Sequence, residues 1–226
     1  MGVVVNIGRI EMTRKIIALD CDGVLLDWHG GFINWVEQRY GWEINYDHPW
    51  DTYDMYTWFE YKNGQSMSKD DFVTLVKEFN GFPRCLSPID KVKESLKGFV
   101  ALGYELVVVT SLGSCPMNCE FREEYLRIVF EGLISDTIIL GLGECKEKVL
   151  KSIDPQAFVE DNADHARKAA ALGIDTYLIK YPFNTGVQGV TYIRDLQQLH
   201  SILWSKEYSQ VETPEEKEWF DSLKSA

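Results

Sequence analysis

Five short, almost wholly apolar runs constrain this chain more than any other feature. Lys15-Ile16-Ile17-Ala18-Leu19-Asp20 is the first; Tyr104–Thr110, Thr137–Leu140, Ala157–Asp161 and Thr176–Ile179 follow. Successive side chains of a strand point to opposite faces, so a run apolar at nearly every position needs cover on both sides. Segments of helical spacing lie between the runs. Val92, Leu96, Phe99, Val100 and Leu102 precede Gly103, while Phe121, Tyr125, Leu126, Val129 and Phe130 form a second set and Val149, Leu150 and Ile153 a third. Asn162 is placed to cap Ala163–Leu172, which stops at Gly173. Strand alternating with helix predicts an α/β fold, a doubly wound parallel sheet.

One stretch breaks the alternation. Residues 30–86 are rich in Trp and Tyr and poor in strand signals, with helical spacing at Phe32, Ile33, Trp35, Val36 and Tyr40 and again at Phe72, Leu75, Val76 and Phe79. They read as a small, mainly helical cap inserted after the first strand. Residues 1–29 and 87–204 then form the core, and 205–226 a charged tail anchored by Trp219 and Phe220. A length of 226 residues suffices for one core with such an insert.

The net charge of −12 argues against duplex nucleic acid, which needs a basic face. No apolar run approaches the ~20 residues that cross a bilayer. The first ten residues show neither a secretory leader nor, with Asn6 where Ser or Thr is wanted, a myristoylation signal. Five scattered cysteines suit reduced thiols and a cytoplasmic location. Cys115 and Cys119 lack the partners that would complete a zinc site.

Ligands of open α/β sheets bind beyond the carboxyl ends of the strands. There the chain carries Asp20-Cys21-Asp22-Gly23, Thr110-Ser111 and Glu160-Asp161-Asn162, with Lys146 and Lys148 opening a helix after Leu140. Two acids flanking one residue suit a tight loop in which one carboxylate attacks and the other handles protons. Carboxylates from separate strands can share a hard cation such as Mg²⁺, without which they would repel one another and any phosphate. An anionic substrate on an acidic protein requires the positive charge to be local.

These residues resemble the four ordered motifs of the haloacid dehalogenase (HAD) superfamily over roughly residues 15 to 180. The resemblance implies a Mg²⁺-dependent phosphomonoesterase with Asp20 as nucleophile, Asp22 as general acid and base, and Thr110 and Ser111 on the phosphoryl oxygens. It implies Lys146 as the balancing cation, with Lys148 or Lys151 as alternatives, and Mg²⁺ on Asp20, the Asp22 carbonyl and Asp161. Glu160 stands where many members carry Asp. The second acid, Asp22, separates the phosphate-transferring members from the dehalogenases, which lack it. Asp20–Phe32, Phe82–Pro88 and Tyr181–Asn184 are similar to the 5'(3')-deoxyribonucleotidases, implying a nucleoside monophosphate substrate stacked on cap aromatics. Trp28 and Phe32 are the first candidates, with Trp50, Tyr53 and Trp58 behind them.

Rival readings are a phosphatase for another small phosphorylated metabolite, a phosphomutase-type transferase, and a non-catalytic binding protein. The last is disfavoured because neither the nucleophile nor the metal acid is lost. Trp35 and Phe72 read as internal cap packing, and His29, His48, His165 and His200 as ordinary surface or core residues.

Overall fold

A computed structural model describes residues 14–45, 50–53, 55–61 and 63–223. The opening ten residues and His48 lie outside the described residues. β1 (Lys15–Leu19) is an inner strand of a six-stranded sheet. β4 (Tyr104–Ser111) and β6 (Ala157–Glu160) flank it; β5 (Asp136–Leu140) lies beyond β4, while β7 (Asp175–Ile179) and β8 (Thr191–Ile193) lie beyond β6. All these pairings are parallel. The six strands include one, β8, not expected from sequence. It has only three residues, Thr-Tyr-Ile, and borders the sheet, so its pattern is too brief to read.

The all-apolar runs are buried on both faces, as doubly wound packing requires. Ile17, Leu19, Leu106, Val108 and Val159 join one hydrophobic layer; Ile16, Ala18, Val107, Val109 and Phe158 join the other. The first layer is closed by α3 (Val92–Ala101), α4 (Pro116–Val129) and α7 (Leu196–Ser209) through Leu96, Leu126 and Leu199. The second is closed by α5 (Glu147–Ile153) and α6 (Ala163–Ala170) through Leu150 and Ala169. α6 begins where Asn162 accepts hydrogen bonds from the Asp164 and His165 amides at 2.9 and 3.2 Å.

The insert leaves and rejoins the core through two segments tied side by side. The Asp27 amide donates to the Ser87 carbonyl at 2.8 Å, and Ile89 donates to Leu25 at 3.0 Å. Within the insert, α1 (Trp28–Tyr40) is capped by Asp27 and stopped by Gly41 at φ +70°. α2 (Lys69–Phe79) is capped by Ser68. Between them runs a two-stranded antiparallel ribbon, β2 (Trp42–Ile44) and β3 (Phe59–Tyr61), where the sequence suggested few strands.

Phe32 is the hub of this insert and is fully buried. It stacks on Trp28 at 4.8 Å and meets Phe59, Phe72 and Phe79 edge-on. Truncating so enclosed a ring leaves a cavity, so Phe32→Ala is expected to cost about 3–5 kcal/mol in urea-induced unfolding. A loss below about 1 kcal/mol would contradict this packing role.

At the other end, α7 continues through residue 205, where the tail was expected to start, to Ser209. Its Glu207 takes hydrogen bonds from Lys15 and Tyr104 at 2.6 and 2.8 Å, tying it to the sheet. α8 (Pro214–Leu223) folds back so that Phe220 packs edge-on against Trp204 and Tyr208, while Trp219 stays half exposed. No helix among the described residues is long and apolar enough to cross a membrane.

Candidate active site

The carboxyl ends of β1, β4 and β6 open onto one cavity of about 260 Å³ beneath the insert. Asp20, Asp22, Thr110, Ser111, Lys146 and Asp161 all reach it, although up to 141 positions separate them in sequence. The Asp20 amide donates to the Val159 carbonyl at 2.9 Å, extending the β1–β6 ladder into the loop. Gly23 then turns at φ +78°. A Cβ there would fall 2.3 Å from Asp161 Oδ2, so only glycine lets this loop meet the β6 end. The backbone behind is pinned as well: Tyr181 Oη donates to the Gly23 carbonyl at 3.0 Å, and Asn184 Nδ2 to the Asp161 carbonyl at 2.7 Å.

Position separates the three lysines. Lys146 is buried, donating to Asp20 Oδ1 at 2.5 Å and Glu160 Oε2 at 2.7 Å; Lys148 and Lys151 are exposed. Glu160 is saturated. Its Oε2 serves Lys146 and lies 3.6 Å from His165 Nδ1, while its Oε1 accepts the amides of Asp161 and Asn162 at 3.2 and 3.1 Å. The longer glutamate arm lets one carboxylate reach the lysine and its own helix entrance together.

The charges set the chemistry. Burial, then the charge of Glu160, push the Asp20 carboxyl up to about 7 against the pull of Lys146. Burial followed by Glu160 and Asp20 also raises Asp161 well above the ordinary carboxyl range. Burial would raise Glu160 too, but Lys146 and then His165 prevail and bring it down to about 2. Burial opposes the Lys146 ammonium, yet Asp20 and Glu160 outweigh it and hold it above its usual value. One ammonium thus faces three buried carboxylates.

That imbalance is the test for a divalent ion, and the residues fit one. Oxygens of Asp20, Glu160 and Asp161 lie within 4.8 Å of one another. Because Glu160 is already engaged at both oxygens, Asp20 and Asp161 are the pair with capacity to spare. The Asp22 carboxylate is not in this cluster. Its Oδ1 accepts from Arg122 Nη1 at 2.6 Å, so a place for Asp22 around an ion rests on its backbone carbonyl alone.

The remaining expectations divide. Ser111 Oγ is buried without a hydrogen-bond partner and lines the cavity, leaving it free for a ligand oxygen. Trp28 and Tyr53 are on the wall. Phe32 is not: it lies behind Trp28 in the insert core, because five rings (Trp28, Trp35, Phe59, Phe72 and Phe79) already surround it, which corrects its reading as a ligand contact. Trp58 is likewise buried off the wall, with Trp50 stacked on it at 4.6 Å. Phe72, read as internal packing, in fact lines the cavity, as do His29 and His165.

Asn80 and Arg122 had no part in the sequence reading. Asn80 Nδ2 donates to the Leu112 carbonyl at 3.0 Å, joining the end of α2 to the loop after β4 at the cavity edge. Arg122 was legible only as a phase. Carrying the Tyr125-Leu126-Val129 stripe back one turn lands on Arg122, which is buried, whereas Phe121 is half exposed.

Fold and site together define a doubly wound α/β protein with an acid–lysine cluster at the carboxyl ends of its inner strands. No protein-family model and no curated protein matches the sequence. Solved structures do. A predicted phosphoglycolate phosphatase from Haemophilus somnus matches with TM-score 0.55 and 18% identity over 85% of this chain and 99% of its own. A HAD phosphatase from Thermococcus onnurineus matches with TM-score 0.53 and 17% identity over 84% and 97%. D,D-heptose 1,7-bisphosphate phosphatase from B. bronchiseptica, solved with magnesium and phosphate, matches with TM-score 0.51 and 11% identity over 85% and 99%. At these identities the shared property is the fold.

Proposed function

We propose that this protein is a Mg²⁺-dependent phosphomonoesterase that works through an aspartyl-phosphate on Asp20 and takes nucleoside monophosphates. The observation that carries the reading is the Lys146 ammonium, 2.5 Å from Asp20 Oδ1 at the floor of a cavity also reached by Asp22, Thr110, Ser111 and Asp161. Lys146, the Thr110 hydroxyl and the unpartnered Ser111 hydroxyl bind the phosphoryl oxygens and place phosphorus against Asp20. An Asp20 oxygen attacks, the ester P–O bond breaks, and Asp22 gives its proton to the leaving oxygen. Asp22 then takes a proton from the water that attacks the aspartyl-phosphate, releasing phosphate and restoring the Asp20 carboxylate. Asp20, Asp161 and the Asp22 carbonyl would hold Mg²⁺, which would supply electrostatic stabilisation of the phosphoryl charge.

The cavity wall supports the substrate class. Above the charged floor stand Trp28, Tyr53, Met55, Phe72 and Val76, and among the described residues Lys146 is the only Lys or Arg lining it. That arrangement suits one phosphate joined to a flat, uncharged group. A second anionic group, as in a bisphosphate or phosphoglycolate, would meet no further Lys or Arg among the described lining residues. Base stacking on such walls is worth ~1–3 kcal/mol. With Mg²⁺ and a panel of esters, deoxynucleoside 5'-monophosphates are expected to show kcat/KM at least about tenfold above sugar phosphates and phosphoglycolate, with inorganic phosphate as product. Faster cleavage of phosphoglycolate would overturn the substrate class, and return of phosphate to the sugar without release would make the protein a mutase.

A further inference from the structure

Arg122 is a fully buried arginine that the chemistry above leaves without a role. It comes from the inward face of α4, and its Nη1 donates to Asp22 Oδ1 at 2.6 Å and to Cys21 Sγ at 3.3 Å. It does not line the cavity, so it is not a phosphate ligand. Its Nε is buried without a partner. Burying a guanidinium with an unmet donor is costly, and an apolar side chain there would fill the same core. Stability alone therefore does not account for it.

Its geometry does. Asp22 is one-fifth exposed and lines the cavity, where a short, solvated carboxylate would sample several rotamers. The bond from Arg122, which is not itself on the cavity wall, occupies Oδ1 and leaves Oδ2 outside that pairing. The guanidinium is itself fixed by burial and by Cys21, in the same loop. Such a planar donor restricts direction more than an ammonium on a flexible stem.

We infer that Arg122 is a positioning residue that aims Asp22 Oδ2 at the leaving-group oxygen and, in the second half-reaction, at the attacking water. The inference rests on the phosphomonoesterase reading. In it, the proton moves from Asp22 Oδ2 to the ester oxygen as that P–O bond breaks, and returns to Asp22 from water; Arg122 neither gains nor loses one.

Leaving-group chemistry tests it, because kcat/KM for an alkyl ester includes proton delivery, while a nitrophenolate departs unaided. Arg122→Met is expected to lower kcat/KM for a nucleoside 5'-monophosphate ~100-fold but that for p-nitrophenyl phosphate less than about fivefold. Arg122→Lys, which keeps the buried charge and guards against misfolding, should show the same selectivity at ~10-fold. Asp22→Asn should share the pattern, and adding Arg122→Met to it should change neither ester further. Equal losses on both esters, or additive losses in the double variant, would overturn the positioning role. Asp20→Asn separates the two levels: if it remained active on p-nitrophenyl phosphate, the phosphomonoesterase mechanism would fail and not merely the role of Arg122.

Discussion

Replacing Asp20 by asparagine is expected to abolish turnover while the protein remains folded. The amide keeps the size of the side chain but removes the oxygen nucleophile, and the neighbouring Asp22 and Glu160 carboxylates are already engaged. Asp22 is tied to Arg122, and Glu160 is tied to Lys146 and two backbone amides. A loss of about 10⁴-fold or more corresponds to at least ~5.5 kcal/mol of barrier. Stability should not fall with it. The substitution takes one buried negative charge out of a crowded cluster, and Lys146 retains Glu160. Steady-state kinetics with Mg²⁺ beside a thermal melt checks both halves; near-native turnover would remove Asp20 from the chemistry.

The second large effect concerns the ion. Metal-free protein is expected to lose stability as pH rises from about 5 to 7 and to regain it with Mg²⁺. The sign follows from where protons are held. Asp20 sits near 7 folded against an ordinary value of 3.8, so in that window the native state binds the extra proton and stability declines with pH. Asp161 is raised as well and adds the same sign. Glu160 moves the other way, to about 2 from 4.5, but its contribution is complete by pH 5. His29 and His200, both lowered by burial, add the opposite sign up to their ordinary value of 6.5, so the carboxylate effect is read against Asp20→Asn, which keeps both histidines. One such proton gives a slope of about 1.4 kcal/mol per pH unit. A divalent ion favours the ionised carboxylates and so should flatten the decline. At a hundred times its Kd it adds about 2.7 kcal/mol, roughly 5–10 °C in Tm for a chain of this length. Asp161→Asn should be more stable than wild type without metal yet respond weakly to Mg²⁺. Melts of wild type and Asp20→Asn at several pH values, with and without the ion, decide it; a metal-free wild-type Tm that gains on that of Asp20→Asn between pH 5 and 7 would contradict the clustered charges.

Much of this was already in the order of residues. The five apolar runs required cover on both faces, and Asp20, Thr110 and Asp161 at their ends had to emerge on one side because parallel strands all end there. Asn162 at a helix start and Gly23 at a turn follow from local backbone chemistry that spans only a few residues. The insert was visible as an interruption, yet its aromatic residues all carry the same apolar pattern. Nothing in that pattern distinguishes Phe32, enclosed by five rings, from Trp28 and Phe72, which reach the cavity.

What the sequence by itself determined is therefore whatever depends on period and on chain order: the doubly wound sheet and the convergence of its acidic strand ends. Only the tertiary structure decided which lysine balances them, that Glu160 is spent on Lys146, and that Arg122 stands behind Asp22. These are contacts across 14 to 126 positions, in which a phase error of one or two residues, a rotation of about 100° or 200°, exchanges Arg122 for Phe121 or Lys146 for Lys148. Periodicity fixes such a rotation too loosely to choose between neighbours, whereas a charge-assisted hydrogen bond of 2.5 to 2.7 Å admits one of them.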